Sequence, residues 1–295
     1  EECFLPNDIS NRIRNFTKAY CNEFKYKFYD LLEQTGSVRN LVIRTTSTGE
    51  VMVVVIFFEE TEEKILALMQ ELKETFMEIT SLNYIINQKK NDSYSDQEVV
   101  NFYGNPYMIE VLGDYKFKVR PKSFFQTNSL QAKNLYDIIK NFADLNKEDV
   151  VYDMYSGVGS IGLYLSGECK KVVGIEIIDT AVEDAKENAK LNEVENAEFY
   201  LGDVSKLLDD EFIAQNGQPT ALVTDPPRIG MHPDVVKTML KAEVPKIVYI
   251  SCNPGTQARD IALLSEKYDV LKIQPVDMFP QTTHIENVAL LSLKK

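Results

Sequence analysis

Lysine and arginine are scarce relative to acid: 32 basic residues stand against 45 acidic ones, for a formal charge of −13. Unspecific adhesion to nucleic acid needs clustered cations, so this balance excludes a chain that is basic throughout, although not one with a local basic surface. Cations do gather at Arg12, Arg14, Lys18, Lys25 and Lys27, and Lys116, Lys118, Arg120 and Lys122 alternate with Phe117, Val119 and Pro121. The ordinary source of such a run is a solvated strand face. Cysteine is equally sparse. Cys3, Cys21, Cys169 and Cys252 lack the short spacings of a metal knuckle or a disulfide framework, which points to a reducing cytoplasm. No apolar run approaches a membrane span, and no methionine or signal-like segment opens the chain at Glu1, so a trimmed piece of a longer protein is expected.

What is present is enough apolar sequence, 44% over 295 residues, for two moderate domains. Residues 1–120 read as an α+β unit. Apolar spacing predicts a helix over Ile9–Leu32, ending near Gly36, and another over Glu62–Ile79. Leu41–Arg44 and Val51–Phe58 flank a polar turn at Gly49 as a hairpin, Tyr84–Ile86 is a short strand, and Tyr107–Val111 with Lys116–Arg120 bracket Gly113-Asp114. Much antiparallel strand and no chemistry are expected there.

From residue 121 to 295 strands and helices alternate. Strands are expected at Val150–Met154, Val172–Ile175, Glu198–Leu201, Ala221–Val223, Ile247–Ile250, Val270–Pro275 and Val288–Leu293, with helices at Ser160–Leu165 and Thr180–Leu191. Such alternation implies an α/β, doubly wound, largely parallel sheet of the Rossmann type, with sites at its strand ends.

Three stretches end strands and carry chemistry. In DMYSGVGSIG, Gly157, Gly159 and Gly162 satisfy GxGxxG, and Glu176 follows about twenty residues on, where a carboxylate meets ribose hydroxyls. A tight turn that needs glycine only for packing is the plain alternative. The acids Asp153 and Asp203 favour S-adenosylmethionine over a nicotinamide dinucleotide, because an anion-binding turn is a poor place for extra acid. In TDPPRIG, the double proline keeps Asp225 out of helical backbone at a sheet edge, although a helix-capping Asp explains it as well. Arg228 either meets phosphate or pairs with Asp225. In IVYISCNPGT, a strand delivers Cys252 to a loop of turn residues, an unusual home for a thiol that serves only packing. His284 and Glu286 precede the last strand; taken alone, Glu286 reads as a surface carboxylate and His284 as a structural hydrogen-bonding residue.

DPPRIG, IVYISCNPGT and FPQTTHIE together resemble the signature set of the RNA (uracil-5-)-methyltransferases, strongly over residues 121–295 and loosely before. The resemblance implies S-adenosylmethionine as cofactor, Cys252 as nucleophile, Glu286 as base, and Asp225 at the junction of cofactor and uracil. It implies Gln126, Tyr155, Gly157, Ser160, Glu176 and Asp203 around the cofactor. It further implies a cytoplasmic enzyme acting as a monomer on structured RNA, ribosomal ahead of transfer RNA, through a flipped-out or single-stranded uridine. An amino-terminal oligonucleotide-binding (TRAM) barrel, common in such proteins, is expected to be missing. Cys3 matches the last of four cluster-binding cysteines in the family's iron–sulfur members, but one cysteine holds no cluster, so no metal is expected. Three other readings compete: a nicotinamide oxidoreductase, which leaves SCNP and HIE unexplained; a methyltransferase for another base; and a noncatalytic RNA-binding or remodelling protein that keeps a cofactor pocket.

Overall fold

A computed structural model describes residue 3 and residues 5–295, and the chain divides into two units. One runs to Val111 and takes back Lys118–Ser123; the other holds Leu112–Phe117 and Phe124–Lys295.

In the first unit, α1 (Asp8–Glu23) precedes β1 (Val38–Thr45) and β2 (Val51–Phe57), followed by α2 (Glu62–Thr75), β3 (Ile79–Ile86) and β4 (Val99–Gly104). The four strands form one sheet in that order. β1 and β2 are the expected hairpin, but β2 and β3 run parallel, because α2 is a crossover helix rather than a turn. The other two pairs of this sheet are antiparallel, so the expectation of much antiparallel strand holds with β2–β3 as the exception. The first helix also stops nine residues early. Lys25 takes φ 59°, and Tyr26 folds back so that its N–H donates to Cys21 O (2.8 Å) and its hydroxyl to Lys64 O (2.7 Å). The buried Tyr26 extends the apolar pattern without extending the helix. α2 likewise ends before Phe76 and Ile79: both are buried, Phe76 at the turn that follows the helix and Ile79 as the first residue of β3. Met52–Phe57 is buried at every position, the mark of a strand covered on both faces.

β5 (Met108–Leu112) and β6 (Tyr115–Val119) pair around Gly113. The rest of the second unit begins with α3 (Ser129–Ala143), β7 (Val150–Met154), α4 (Ser160–Ser166), β8 (Lys171–Glu176), α5 (Asp179–Leu191) and β9 (Ala197–Leu201), the pair β5 and β6 having residues in each unit. Then come α6 (Val204–Leu207), α7 (Asp210–Asn216), β10 (Ala221–Thr224), α8 (Pro233–Ala242), β11 (Lys246–Ser251), α9 (Pro254–Leu264), β12 (Tyr268–Val276) and β13 (Glu286–Leu293). Their seven-stranded sheet has the order β12-β13-β11-β10-β7-β8-β9. β7 to β11 are parallel, whereas β13 lies antiparallel between β11 and β12. The order reverses at β7, where β8 and β9 lie to one side and β10 and β11 to the other, so ligands are expected outside this edge.

Candidate active site

The glycine turn after β7 is held by carboxylates. Tyr155, Gly157 and Gly159 take φ of 62°, 52° and 79°, a left-handed run that reverses the chain into α4. Asp153 Oδ2 accepts from Gly162 N (2.9 Å), and a Cβ at Gly162 would stand 3.0 Å from that oxygen, so a side chain there would crowd the bond. Glu176 Oε2 accepts from Gly157 N (3.0 Å), while Oε1 accepts from Ile177 N and Ile178 N. Asp203 caps α6 by accepting from Ser205 N (2.9 Å) and its hydroxyl (2.7 Å), and these bonds lower its pKa. Tyr155, Glu176 and Asp203 line a cleft of about 370 Å³, closed opposite by Ile229, Met231 and His232. Ser160 opens α4, with its hydroxyl 2.8 Å from that of Tyr136 on α3. Gln126 is half-buried two residues before Asn128, whose amide donates to Met278 O (2.9 Å).

These groups fit S-adenosylmethionine better than a dinucleotide. Three carboxyls (Asp153, Glu176, Asp203) crowd the turn, which suits hydroxyls and positive charge and repels a pyrophosphate. Burial pushes Asp153 up to about 7, against the pull of Gly162 N, with Glu176 adding to the rise.

Cys252, Glu286 and Asp225 come to the same edge. Ser251 pairs with Asn287 across β11 and β13, so Cys252 and Glu286 leave adjoining strands one position further on. Thr224 pairs with both Tyr249 of β11 and Met154 of β7, which sets Asp225 on the neighbouring strand end. Glu286 is nine-tenths buried, and loss of water raises its carboxyl to about 7. Asp225 is raised well above the ordinary carboxyl range, by burial first and then by Glu286 and Asp153. The Cys252 thiol is raised too, by burial and then by Glu286 and Asp225, while Arg228 opposes them. The thiol is therefore not favoured as thiolate by its carboxylate neighbours. Positive charge must help, and Arg228 and the start of α9, which follows Cys252 by two residues, both supply it. Arg228 does not pair with Asp225; its Nη1 lies 3.3 Å from His284 Nδ1.

Two residues that no motif identified hold this edge together. Gln257 on α9 donates to Tyr249 O (2.9 Å) and Asn287 O (3.1 Å), and its Oε1 accepts from Asn287 Nδ2, so it ties β11 to β13 next to Cys252 and Glu286. Asp260, fully buried on the same helix, accepts from the Tyr249 hydroxyl (2.7 Å), Met231 N (2.8 Å) and Arg259 (2.7 Å). Arg259 Nη2 in turn donates to Ile229 O (3.0 Å), which fixes the segment that follows Asp225. Their signal in sequence was the QARD at four-residue spacing beyond Asn253, whose Oδ1 caps α9.

A parallel sheet with one late antiparallel strand, a glycine turn and acidic strand ends defines the Rossmann-like methyltransferase class. The chain belongs to the tRNA (uracil-5-)-methyltransferase family, whose model matches residues 16–294. An uncharacterized RNA methyltransferase of Bacteroides thetaiotaomicron is 52% identical over 100% of this chain and 65% of its own length. The crystal structure of Pyrococcus abyssi tRNA (uracil-54, C5)-methyltransferase in complex with S-adenosyl-L-homocysteine is 32% identical, with a TM-score of 0.81 over 98% of this chain and 68% of that one. The crystal structure of M. jannaschii tRNA m1G37 methyltransferase shares the fold alone, at 19% identity and a TM-score of 0.53 over 90% of this chain and 78% of that one. The chain spans about 65% of the length of the first curated relatives it matches. Among the described residues no helix is long and apolar enough to cross a membrane.

Proposed function

We propose that this chain carries the catalytic part of an S-adenosylmethionine-dependent methyltransferase that modifies C5 of a uridine in structured RNA. The strand register that sets Cys252 beside Glu286, with Asp225 on the next strand end, carries the reading. Uracil C5 is too weakly nucleophilic to take a methyl group directly. Addition of the Cys252 thiolate to C6 places enolate charge at C5, which then attacks. S-adenosylmethionine, when bound, supplies the electrophilic methyl. Gln126, Tyr155, Gly157, Ser160, Glu176 and Asp203 would hold it, with Asp225 at the junction with the base. Glu286 then removes the C5 proton, and the C5–H electron pair expels Cys252 from C6. Asp225 hydrogen-bonds the uracil edge where uracil and cytosine differ, and so helps to tell the two bases apart.

A stacked base cannot reach a thiol at a sheet edge, so the uridine is single-stranded or flipped out, and residues 1–120 offer further RNA contact. Ribosomal RNA is the source favoured from sequence, with cytoplasmic action by a monomer; the solved relative acts on tRNA by its name. The test is incubation of the full-length protein with S-adenosylmethionine and 5-fluorouridine-containing ribosomal or transfer RNA. Fluorine cannot leave as a proton does, so a covalent adduct surviving a denaturing gel is expected, and the pool that forms it names the RNA. No adduct with either pool ends the reading.

A further inference from the structure

We infer that Tyr136 is a positioning residue for the cofactor's amino-acid end: its phenol hydroxyl holds the Ser160 hydroxyl so that Ser160 donates its proton outward, to the ligand's carboxylate. This rests on the proposed function and deepens it. Tyr136 is 4% exposed on α3, and its Oη lies 2.8 Å from Ser160 Oγ at the start of α4. The two hydroxyls hold two protons, and the bond between them uses one. Neither oxygen has another hydrogen-bond partner among the described residues, so the second proton has no acceptor there. A hydroxyl proton left idle at a buried position marks a place where an acceptor from outside the chain fits.

Packing does not call for the hydroxyl. The Tyr136 ring meets Tyr164 edge-on, with centroids 5.5 Å apart and planes at 75°, and a phenylalanine would fill the same space with no polar atom to satisfy. The phenol is also placed from outside the glycine turn. Asn128 fixes the start of α3, its Oδ1 accepting from Gln131 N (3.2 Å) and its Nδ2 donating to Met278 O (2.9 Å), and Tyr136 lies about two turns along that helix. Burial first, and then Asp225, Asp153 and Glu286, hold the proton on the phenol against the pull of Ser160, so Tyr136 stays a donor.

The strand order decides which part of the cofactor comes here. Glu176 ends β8 and Asp203 follows β9, Asp225 and Cys252 follow β10 and β11, and β7 lies between the two groups. With ribose and adenine on the β8 and β9 side and the uracil on the β10 and β11 side, the remaining substituent of the sulfur, the amino-acid chain, falls to the turn that leaves β7. Ser160 belongs to that turn. The ligand's ammonium suits the acids at these strand ends, whereas its carboxylate is repelled by them and needs donors. A serine hydroxyl left to rotate supplies one only part of the time. A phenol that donates to Ser160 Oγ turns the serine proton away from itself, and bonds in such a chain strengthen one another.

Isothermal calorimetry of the full-length protein with S-adenosylhomocysteine tests this without turnover. Ser160→Ala should weaken binding by about tenfold or more, since a hydrogen bond to a charged group is lost. Tyr136→Phe keeps the ring and removes one oxygen, and it should weaken binding about three- to tenfold. Added to Ser160→Ala, the same change should cost less than about twofold, because the phenol then has nothing to orient. 5′-Methylthioadenosine keeps the adenosine and the thioether but lacks the amino-acid end, and should bind the variants and the unmodified protein alike. A Tyr136→Phe loss that persists in full beside Ser160→Ala, or that appears equally with 5′-methylthioadenosine, would make the phenol a packing group and overturn the inference, as would unweakened binding by Tyr136→Phe; each leaves the cofactor assignment standing. Binding of neither ligand to the unmodified protein would overturn both.

Discussion

Gln257 and Asn287 exchange side-chain and backbone hydrogen bonds across 30 residues of chain, and they do so beside the pair of strand ends that present Cys252 and Glu286. The spacing of nucleophile and base therefore depends on an amide that touches neither. Gln257→Leu removes those bonds and leaves Asn287 unsatisfied, at a cost of about 1–3 kcal/mol. Denaturant unfolding should show that loss, and adduct formation on 5-fluorouridine RNA should slow by at least about tenfold, since small misplacements of reacting groups are costly. An unchanged adduct rate would show that Gln257 serves stability alone.

Glu286→Gln should trap the covalent adduct on ordinary uridine RNA, because the C5 proton then has no acceptor, whereas Cys252→Ala should form none. In the unmodified enzyme the release step needs Glu286 ionised, so single-turnover release should rise with pH through about 7 and level off above it. Normal turnover by Glu286→Gln would assign the base to another residue.

Asp153→Asn should stabilise the fold while weakening cofactor binding. Burial raises the native carboxyl to about 7, so native protein holds this proton where unfolded chain has lost it. The sign follows: stability falls as pH rises from the ordinary carboxyl range to about 7, then stays level. Asn escapes that penalty and still accepts from Gly162 N. Its advantage should be on the order of 3–4 kcal/mol above about pH 7 and shrink towards pH 4. Thermal unfolding at both ends of that range checks it.

Gly230→Ala should be among the most damaging small substitutions. Gly230 has φ 82°, and an added Cβ would stand 2.5 Å from Arg259 Nη2 and 2.7 Å from Asp260 Oδ2. Strain at the backbone alone costs about 1–3 kcal/mol, and relief by displacing Arg259 would free the segment behind Asp225. A lower melting temperature with weaker S-adenosylmethionine binding is expected; Gly49→Ala, at φ 87° with open space around it, should lower the melting temperature without touching binding.

Local rules explain what was legible. The strands of the second unit are short apolar runs between turns, and their motifs end them, so β7, β8, β10 and β11 were placed within a residue or two. Helices α3, α8 and α9 escaped notice although each carries a cap: Asn128, His232 and Asn253. Each begins directly after a stretch of turn residues, whose loop chemistry gives no sign of the helix beyond it. The long first helix failed for the opposite reason, since Tyr26 continued an apolar rhythm through a backbone reversal that rhythm does not encode.

The sequence by itself determined which residue types stand at the strand ends, because strand propensity and turn chemistry act over a few neighbours: Asp153, Glu176, Asp203, Asp225 and Cys252 were all placed there correctly. Tertiary structure alone decided that β13 slots antiparallel between β11 and β12, a choice made by packing among segments far apart in the chain. That insertion turns Glu286 from a residue before the last strand into the neighbour of Cys252. Burial then sets its proton affinity, which no local pattern records.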